Sequence, residues 1–554
     1  MSTRSRAYRA THSPESQFEP ALPELREAVA HRAIQGPEAL AALAKTVHMP
    51  VASVRGSLSS YTDVQHDPAA VRVCAGTSCA MAGGPAIGRE IAKGAGCTPV
   101  YCLGYCDRSP AAMTAAGGVI APVTAADVEV LVHDRPVVHP APPSVRCEAR
   151  AAIVTARLLA TSAGDPPLPD YAGLRAALGM EPRQVVESVV ASGVRGRGGA
   201  AYPTGQKWRM AAQARGVPKF VVANGDEGDP GSFIDRELME RDPHGILEGM
   251  AICGHAVGAD SGVVFIRSEY PRAAEIMERA IADATAAGVL GEHCLGANRS
   301  FRVRVVRGMG SYVCGEETAL LSAIEGFRGE VRPRPPYPVE HGLYGKPTVV
   351  DNVETLVNIP WIITSGADAF AAMGTADSKG TKAVCLNRGF AKPGIVEVEF
   401  GVTLREVIER SAGGGAGGQE LEAVLLGGPM GSIVTPDQWD APVCFTAMGR
   451  RKINLGHGGL VAIPKGTSWP AMLRHLLTFM EEESCGKCVP CRLGTRRAHE
   501  MAKAGLSAGE LPAFRRILAL MKEASLCAFG RETPGPVETI LEKFGTHVVT
   551  EARS

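Results

Sequence analysis

The sequence carries no excess of either charge: 58 lysines and arginines balance 58 aspartates and glutamates, for a formal net charge of +0. Nucleic-acid binding wants a basic surface, so this balance argues against that class. A long apolar run is also missing. None reaches the roughly 18 to 20 residues that span a bilayer, and the most apolar stretch, Gly249 to Ile266, is interrupted by His255, Asp260 and Ser261. The opening MSTRSRAYRATHSPESQ has no apolar segment of the secretory kind. The expectation is a cytoplasmic protein without a membrane span. No repeat of fixed period is visible.

What is present is a chain of 554 residues, 45% of them apolar, which is too long for one core and predicts three or four domains. Residues 20–62 alternate short helical patterns with breaks, and from Val71 short apolar strands (VRVCAG, PVYCLG) flank a helical GGPAIGREIAKGA. The proline-rich DRPVVHPAPPSVRCE reads as a linker. A large α/β segment follows, with strands KFVVANG, GVVFIRSE and FRVRVVRG; residues 380–465 suit a small sheet-based domain, and the last ninety residues are helical. The expected segments are 1–65 (helical), 66–135, 136–165 (linker), 166–370, 371–465 and 466–554.

Fifteen cysteines in a long intracellular chain suggest metal or cluster binding before disulfides. Cys485, Cys488 and Cys491 form C-x2-C-x2-C, and Cys527 follows after 35 intervening residues. That spacing brings three thiolates onto one loop with a distant fourth, as a [4Fe–4S] cluster requires. A structural zinc is the alternative, although zinc favours two separated C-x2-C knuckles. Cys74 and Cys79, then Cys102 and Cys106, make two looser pairs at the ends of apolar strands, each able to hold one iron of a [2Fe–2S] cluster; zinc again competes. The other seven cysteines are scattered and read as small buried apolar residues.

Two glycine–acid loops lie in the large segment. Gly196, Gly198 and Ala201 of SGVRGRGGAAYPTGQKW satisfy G-x-G-x-x-G/A superficially. The preceding EPRQVVESVVAS reads as a helix, however, and Pro203 interrupts the expected following helix. The glycines still permit close approach of a flat or phosphorylated ligand, and Lys207 could answer a phosphate. After the next strand comes the acidic loop Asn224 to Gly231, and after a later strand the loop Gly308 to Thr318, both at strand ends where α/β folds bind ligands.

GVRGRGGAAYPTGQKW, VVANGDEGDPGSF, IRSEYPRAA, GSYVCGEETALL, GKPTVVDNVETL and ESCGKCVPCR…SLC, in that order over roughly residues 166–535, resemble the NADH-oxidising flavoprotein subunit of respiratory complex I. Its soluble relatives, NAD-dependent formate dehydrogenases and NAD-coupled hydrogenases, share the motifs. Residues 20–135, with VHMPVASVRGSLSSYTDV and CLGYC, resemble the thioredoxin-like [2Fe–2S] subunit of the same complexes. The resemblance implies an α/β multidomain fold. Its parts are a helical preface with a thioredoxin-like [2Fe–2S] domain, a Rossmann-like FMN/NAD domain, a β-grasp domain and a C-terminal helical bundle with the [4Fe–4S] cluster.

By the same resemblance, FMN meets Gly196, Gly198, Lys207, Asn224, Asp226, Gly315, Glu316, Asn352 and Thr355, whereas Gly199, Tyr202, Asp229, Glu317, Arg334 and Tyr337 face NAD(H); Tyr312 is a further candidate cofactor contact. Departures from the family pattern are Ala201 for glycine, Tyr202 for phenylalanine, Asp229 for glutamate, Asp351 for asparagine and Arg334 for lysine. Hydride transfer between nicotinamide and flavin needs mainly stacking geometry, so no acid or base is assigned. Glu316 and Glu317 are the candidate catalytic positions, repelling a second negative charge or positioning a ribose. The implied partner is a molybdenum- or tungsten-type catalytic subunit carrying further iron–sulfur clusters in a formate dehydrogenase; a hydrogenase, complex I and a non-catalytic zinc and nucleotide sensor are the alternatives.

Overall fold

The computed structural model describes residues 18–30, 36–161 and 166–550. The signal-free reading of the first 17 residues, the end of the first helical pattern and part of the linker fall outside them. The chain forms two compact units. One comprises residues up to Ala70, Ala156–Glu227 and Asp235–Ala372; the other comprises Val71–Thr155, Gly228–Ile234 and Met373 onward.

The first unit is built on four parallel strands in the spatial order Arg302–Arg307, Ser261–Ile266, Phe220–Gly225, Thr348–Asn352. Parallel sheets are covered on both faces, which explains continuous apolar runs such as FVV and VVFI. The helix Pro243–Val257 is buried along its whole length. Its start is set by Asp242, whose side chain accepts from the Gly245 N–H, and its end by Gly258 at φ +76°. The most apolar stretch of the sequence is thus the second half of this helix, a turn and a core strand. No helix among the described residues is long and apolar enough to cross a membrane.

The N-terminal helices belong to this unit rather than to the cysteine-bearing segment that follows them. Leu22, Leu25, Leu40, Val54, Leu58 and Tyr61 share one core with Phe220, Val222, Val263, Phe265, Leu320 and Ile324. Each helix is short, and isolated helices of this length are marginal in water, so they fold by burying their apolar stripe on the parallel sheet.

Among its described residues the second unit holds three sheets and a helical layer, one sheet being only the parallel pair Leu506–Ser507 and Val549–Thr550. The four-stranded sheet has the order Cys97–Val100, Val71–Cys74, Ala112–Met113, Val119–Ile120, with the first pair parallel and the rest antiparallel. The larger, six-stranded sheet ends on Val145–Cys147, which pairs in parallel with Gly394–Glu399. The segment expected as a free linker is therefore partly a strand. Its attachment is polar as well: the fully buried Glu397 carboxylate accepts from the backbone N–H groups of Ile153, Val154 and Thr155 and from the hydroxyls of Thr155 and Thr381. The helices Trp469–Glu482, Val489–Ala504, Leu511–Ala524 and Pro534–Lys543 pack their apolar faces on Ala423, Leu425, Val461 and Ile463 of this sheet.

Candidate functional site

In the parallel sheet the first strand, Phe220–Gly225, lies between the second and the fourth, so the chain reverses direction across the sheet beside it. Open α/β sheets bind ligands at such a switch point, outside the carboxyl ends of the strands. Asn224 and Asn352 are register partners at this edge. The Asn224 amide donates to the Gly315 carbonyl (2.8 Å) and accepts from the Asp226 N–H (3.1 Å), stapling the two glycine–acid loops together. Asn352 caps the helix Val353–Ser365 by accepting from the Thr355 N–H, and the Thr355 hydroxyl accepts from the Arg197 N–H (2.8 Å) within the first glycine loop. Gly198 lies so close to Asn352 that a Cβ would come to 3.0 Å from its side chain.

Three helices of eight residues or more begin at these loops: Thr204–Gln213, Glu317–Ile324 and Val353–Ser365. Their N-termini favour negative charge. Pro203 precedes the first of them and starts it, rather than interrupting it as the sequence suggested. The Thr204 hydroxyl at that start is buried with no hydrogen-bond partner, and Gly199, at φ +112°, leaves the loop open for backbone approach. A phosphorylated planar ligand fits this cradle.

The remaining expected contacts divide clearly. Glu316 is committed to capping: its carboxylate accepts from the Thr318 N–H and hydroxyl and from the Ala319 N–H. Burial raises its pKa, against those hydrogen bonds and the Arg334 charge. Glu317 pairs with Arg334 at 2.8 Å. Tyr202 (47% exposed) and Tyr337 (49%) retain ring surface on which a base could stack. Lys207 donates to the Val350 carbonyl (2.6 Å) and to Asp351 (3.1 Å), so two of its three N–H donors are used within the protein. Tyr312 opens the turn Tyr312–Gly315. Asp229 is grouped with the second unit, where it lies against Gly428.

Sequence reading missed Asp235 and Trp208. Asp235 is buried, accepts from the Asn352 amide (2.6 Å) and the Glu354 N–H (3.2 Å), and so fixes the Asn352 cap. The Trp208 indole donates to Asp351 at 2.7 Å. Neither carries a spacing signal; Asp235 stands in an ordinary helical pattern.

In the second unit, Cys74, Cys79, Cys102 and Cys106 are each 1% exposed, with Sγ–Sγ distances of 4.0 Å for Cys74–Cys102 and 3.5 Å for Cys102–Cys106. Backbone N–H groups of Gly104, Gly231 and Ala111 donate to the sulfurs of Cys102, Cys106 and Cys79. The Cys102 thiol beside Cys106, together with burial, pushes the Cys106 thiol well above its ordinary value. Four thiols so placed cannot all ionise unless a cationic centre compensates them. Amide donors of this kind suit the thiolates of an iron–sulfur cluster.

The other four cysteines also meet. Cys488 caps the helix Val489–Ala504, Cys491 lies on its first turn, and Cys527 caps the helix Ala528–Glu532. Burial pushes the Cys491 thiol up to about 12, with Cys488, Cys527 and Cys485 adding to the rise against a Ser484 hydrogen bond. The Ser525 hydroxyl, buried and without a partner, lies with Cys491 against Gly530, so this site too has a spare donor for a cluster. The two cysteine sites are knit together: Tyr101, next to Cys102, packs edge-on against Phe479 at 5.1 Å, and Thr77 bonds His475 at 3.1 Å. Of the scattered cysteines, Cys253, Cys294, Cys314, Cys385 and Cys444 are buried, Cys97 and Cys147 partly so.

Comparison with known proteins agrees with this geometry. Residues 189–361 match the Nuo51 FMN-binding domain, 471–551 the NADH-ubiquinone oxidoreductase-F iron–sulfur binding region, and 8–135 the thioredoxin-like [2Fe–2S] ferredoxin. The NADP-reducing hydrogenase subunit HndC of Solidesulfovibrio fructosivorans is 41% identical over 68% of this chain and 77% of its own length. An NADH-quinone oxidoreductase subunit of Rhizobium meliloti (strain 1021) is 43% identical over 58% of this chain and 77% of its own. A crystal structure of an NAD+-reducing [NiFe]-hydrogenase in the H2-reduced state superposes with a TM-score of 0.84 at 28% identity, covering 96% of this chain and 92% of that one. FMN-, NAD-, [4Fe–4S]- and [2Fe–2S]-binding domains are all present. The chain belongs to the family of NADH-oxidising flavoprotein subunits shared by complex I and NAD(P)-linked hydrogenases, with a thioredoxin-like [2Fe–2S] domain in the same polypeptide.

Proposed function

We propose that this chain is the NAD(H)-facing module of a larger hetero-oligomeric enzyme, in which one site exchanges hydride with NAD(H) and the cysteine sites carry single electrons to or from a partner subunit. The observation that carries the reading is the convergence of both glycine–acid loops on the switch point of the parallel sheet, in a chain that also assembles two four-thiol sites. FMN, when bound, supplies the conversion between a two-electron hydride and single electrons.

The protein's own part is positioning. Asn224, Asn352 and Thr355 lock the three loops around the ligand, and the helix N-termini hold its phosphate. Tyr202 and Tyr337 offer rings to the nucleotide base. Glu317, with Arg334 beside it, stands where a ribose hydroxyl is recognised, and Glu316 serves it indirectly by starting the same helix. The eight cysteines hold the two clusters, of which the [2Fe–2S] site acts as a side reservoir or parallel exit. The compartment that suits exchange with the NAD(H) pool is the cytoplasm.

The partner is the catalytic subunit of a hydrogenase-type or formate-oxidising enzyme. The full-length match to an NAD+-reducing hydrogenase supports the first. The Ala201–Tyr202 variant favours the second, whose partner would carry molybdenum or tungsten. The complex purified with its natural partners and supplied with H2, formate or neither separates them by which donor reduces NAD+. For the chain itself, anaerobic preparation followed by absorption spectroscopy and metal analysis is expected to find FMN with one [4Fe–4S] and one [2Fe–2S] cluster. A colourless protein containing zinc and no flavin would show the sensor reading to be the right one.

A further inference from the structure

We infer that the N-terminal helical segment is part of the flavin site: Thr62 clamps the Gly308–Gly315 loop and sets how tightly flavin is held. The inference rests on the flavin reading above. Thr62 donates twice to the Gly310 carbonyl, from its backbone N–H (3.0 Å) and its hydroxyl (2.7 Å), and the Asp63 N–H donates to the Met309 carbonyl (3.1 Å). The Tyr61 hydroxyl donates to the Phe327 carbonyl at 2.6 Å. These contacts grip both ends of one element: the loop that leads into the helix Glu317–Ile324 and the turn that leaves it.

Gly310 is suited to this grip twice over. Its φ of +77° is a left-handed conformation that disfavours other residues, and a Cβ there would collide with the Thr62 hydroxyl. The Tyr61 side chain is buried, and its ring lies within van der Waals reach of a Cβ built on Gly329, a position that also abuts the Cys314 sulfur. A loop with glycines at 308, 310 and 315 loses much conformational freedom when it orders. Fixing it beforehand removes that loss from the binding step, so a pre-ordered loop binds its ligand more tightly. The Asn224–Gly315 hydrogen bond holds the far end of the same loop, so the clamp and the staple act on one segment.

The test uses the full-length chain loaded with flavin and both clusters. Thr62→Val removes the hydroxyl donor to the loop without changing shape, and Thr62→Ser retains it. Tyr61→Phe and Ser57→Ala are the controls: these hydroxyls donate to the Phe327 and Gly326 carbonyls (2.6 and 2.7 Å) at the same helical interface but outside the loop. Flavin release is followed by the rise in flavin fluorescence, alongside thermal unfolding and the cluster absorption bands. Loss of the Thr62 hydroxyl bond is expected to speed release about two- to tenfold. Thr62→Ser should behave as wild type, and Tyr61→Phe and Ser57→Ala should lower the unfolding temperature without changing release. Unchanged release in Thr62→Val overturns the inference, as does equal acceleration by either control. A wild-type chain that never takes up flavin overturns instead the functional reading on which it rests.

Discussion

Asn224 is the residue at which loop geometry and cofactor binding meet. Its side chain spends both of its polar groups on the protein, one on the Gly315 carbonyl and one on the Asp226 N–H. Asn224→Ala deletes two part-buried hydrogen bonds, each worth about 1 kcal/mol net, and strands a carbonyl and an amide that the bound flavin would shield from water. The combined loss is about 2–3 kcal/mol. Because a factor of ten corresponds to about 1.4 kcal/mol, FMN affinity should fall about 30- to 150-fold if the loops must be aligned before binding. The assay is titration of FMN into flavin-stripped full-length protein, followed by quenching of flavin fluorescence, with iron content checked in parallel. Asn224→Asp sharpens it: the carboxylate still accepts from Asp226 but faces the Gly315 carbonyl with no donor, so affinity should again fall. A shift of less than about threefold in Asn224→Ala, with the clusters intact, would refute the view that this side chain aligns the two loops.

Other consequences are open to equally direct measurement. Cys488→Ala should block electron delivery to the partner while largely sparing reduction of flavin by NADH; loss of both would mean that the cluster is chiefly structural. Ala201 sits at φ +51°, a left-handed conformation costing roughly 1 kcal/mol for a non-glycine residue, so Ala201→Gly should raise stability to chemical denaturation by up to that amount. His244 is buried and shares a hydrogen bond with the Tyr171 hydroxyl at 2.7 Å; burial and the nearby Arg157 charge hold its pKa down to about 4. The folded state therefore binds fewer protons than the unfolded one between that value and the ordinary histidine range. Stability should be fully present above about pH 6.5 and decline as pH falls toward 4, by at most ~1.4 kcal/mol per pH unit from this residue. His244→Gln should flatten that slope in denaturant titrations.

Several readings could be made from sequence because their physical cause is local. Cysteine spacing is one: C-x2-C-x2-C sets the reach of three thiolates along a few residues of backbone, whatever lies around them. Glycine–acid loops at strand ends are another, since they depend on where an apolar strand stops. The roles of particular side chains within those loops were not legible. Glu316 looks like a charge in a binding loop, yet it caps a helix, and only the direction in which the chain leaves position 316 decides that. Asp235 looks like a surface residue of a helix and is instead a buried acceptor for Asn352, 117 residues away.

By itself, the sequence determined the chemistry of this protein: eight cysteines in two cluster-sized sets, glycine loops for a phosphorylated planar cofactor and no span of membrane length. The tertiary structure decided how those parts are shared out. It gave the N-terminal helices to the flavin unit, turned part of the expected linker into a strand held by Glu397, and put both cysteine sites into one compact unit. The physical reason is the same in each case. Short helices, an edge strand and a buried carboxylate are stable only against surfaces contributed by distant parts of the chain, and no local pattern of residues records which surface that will be.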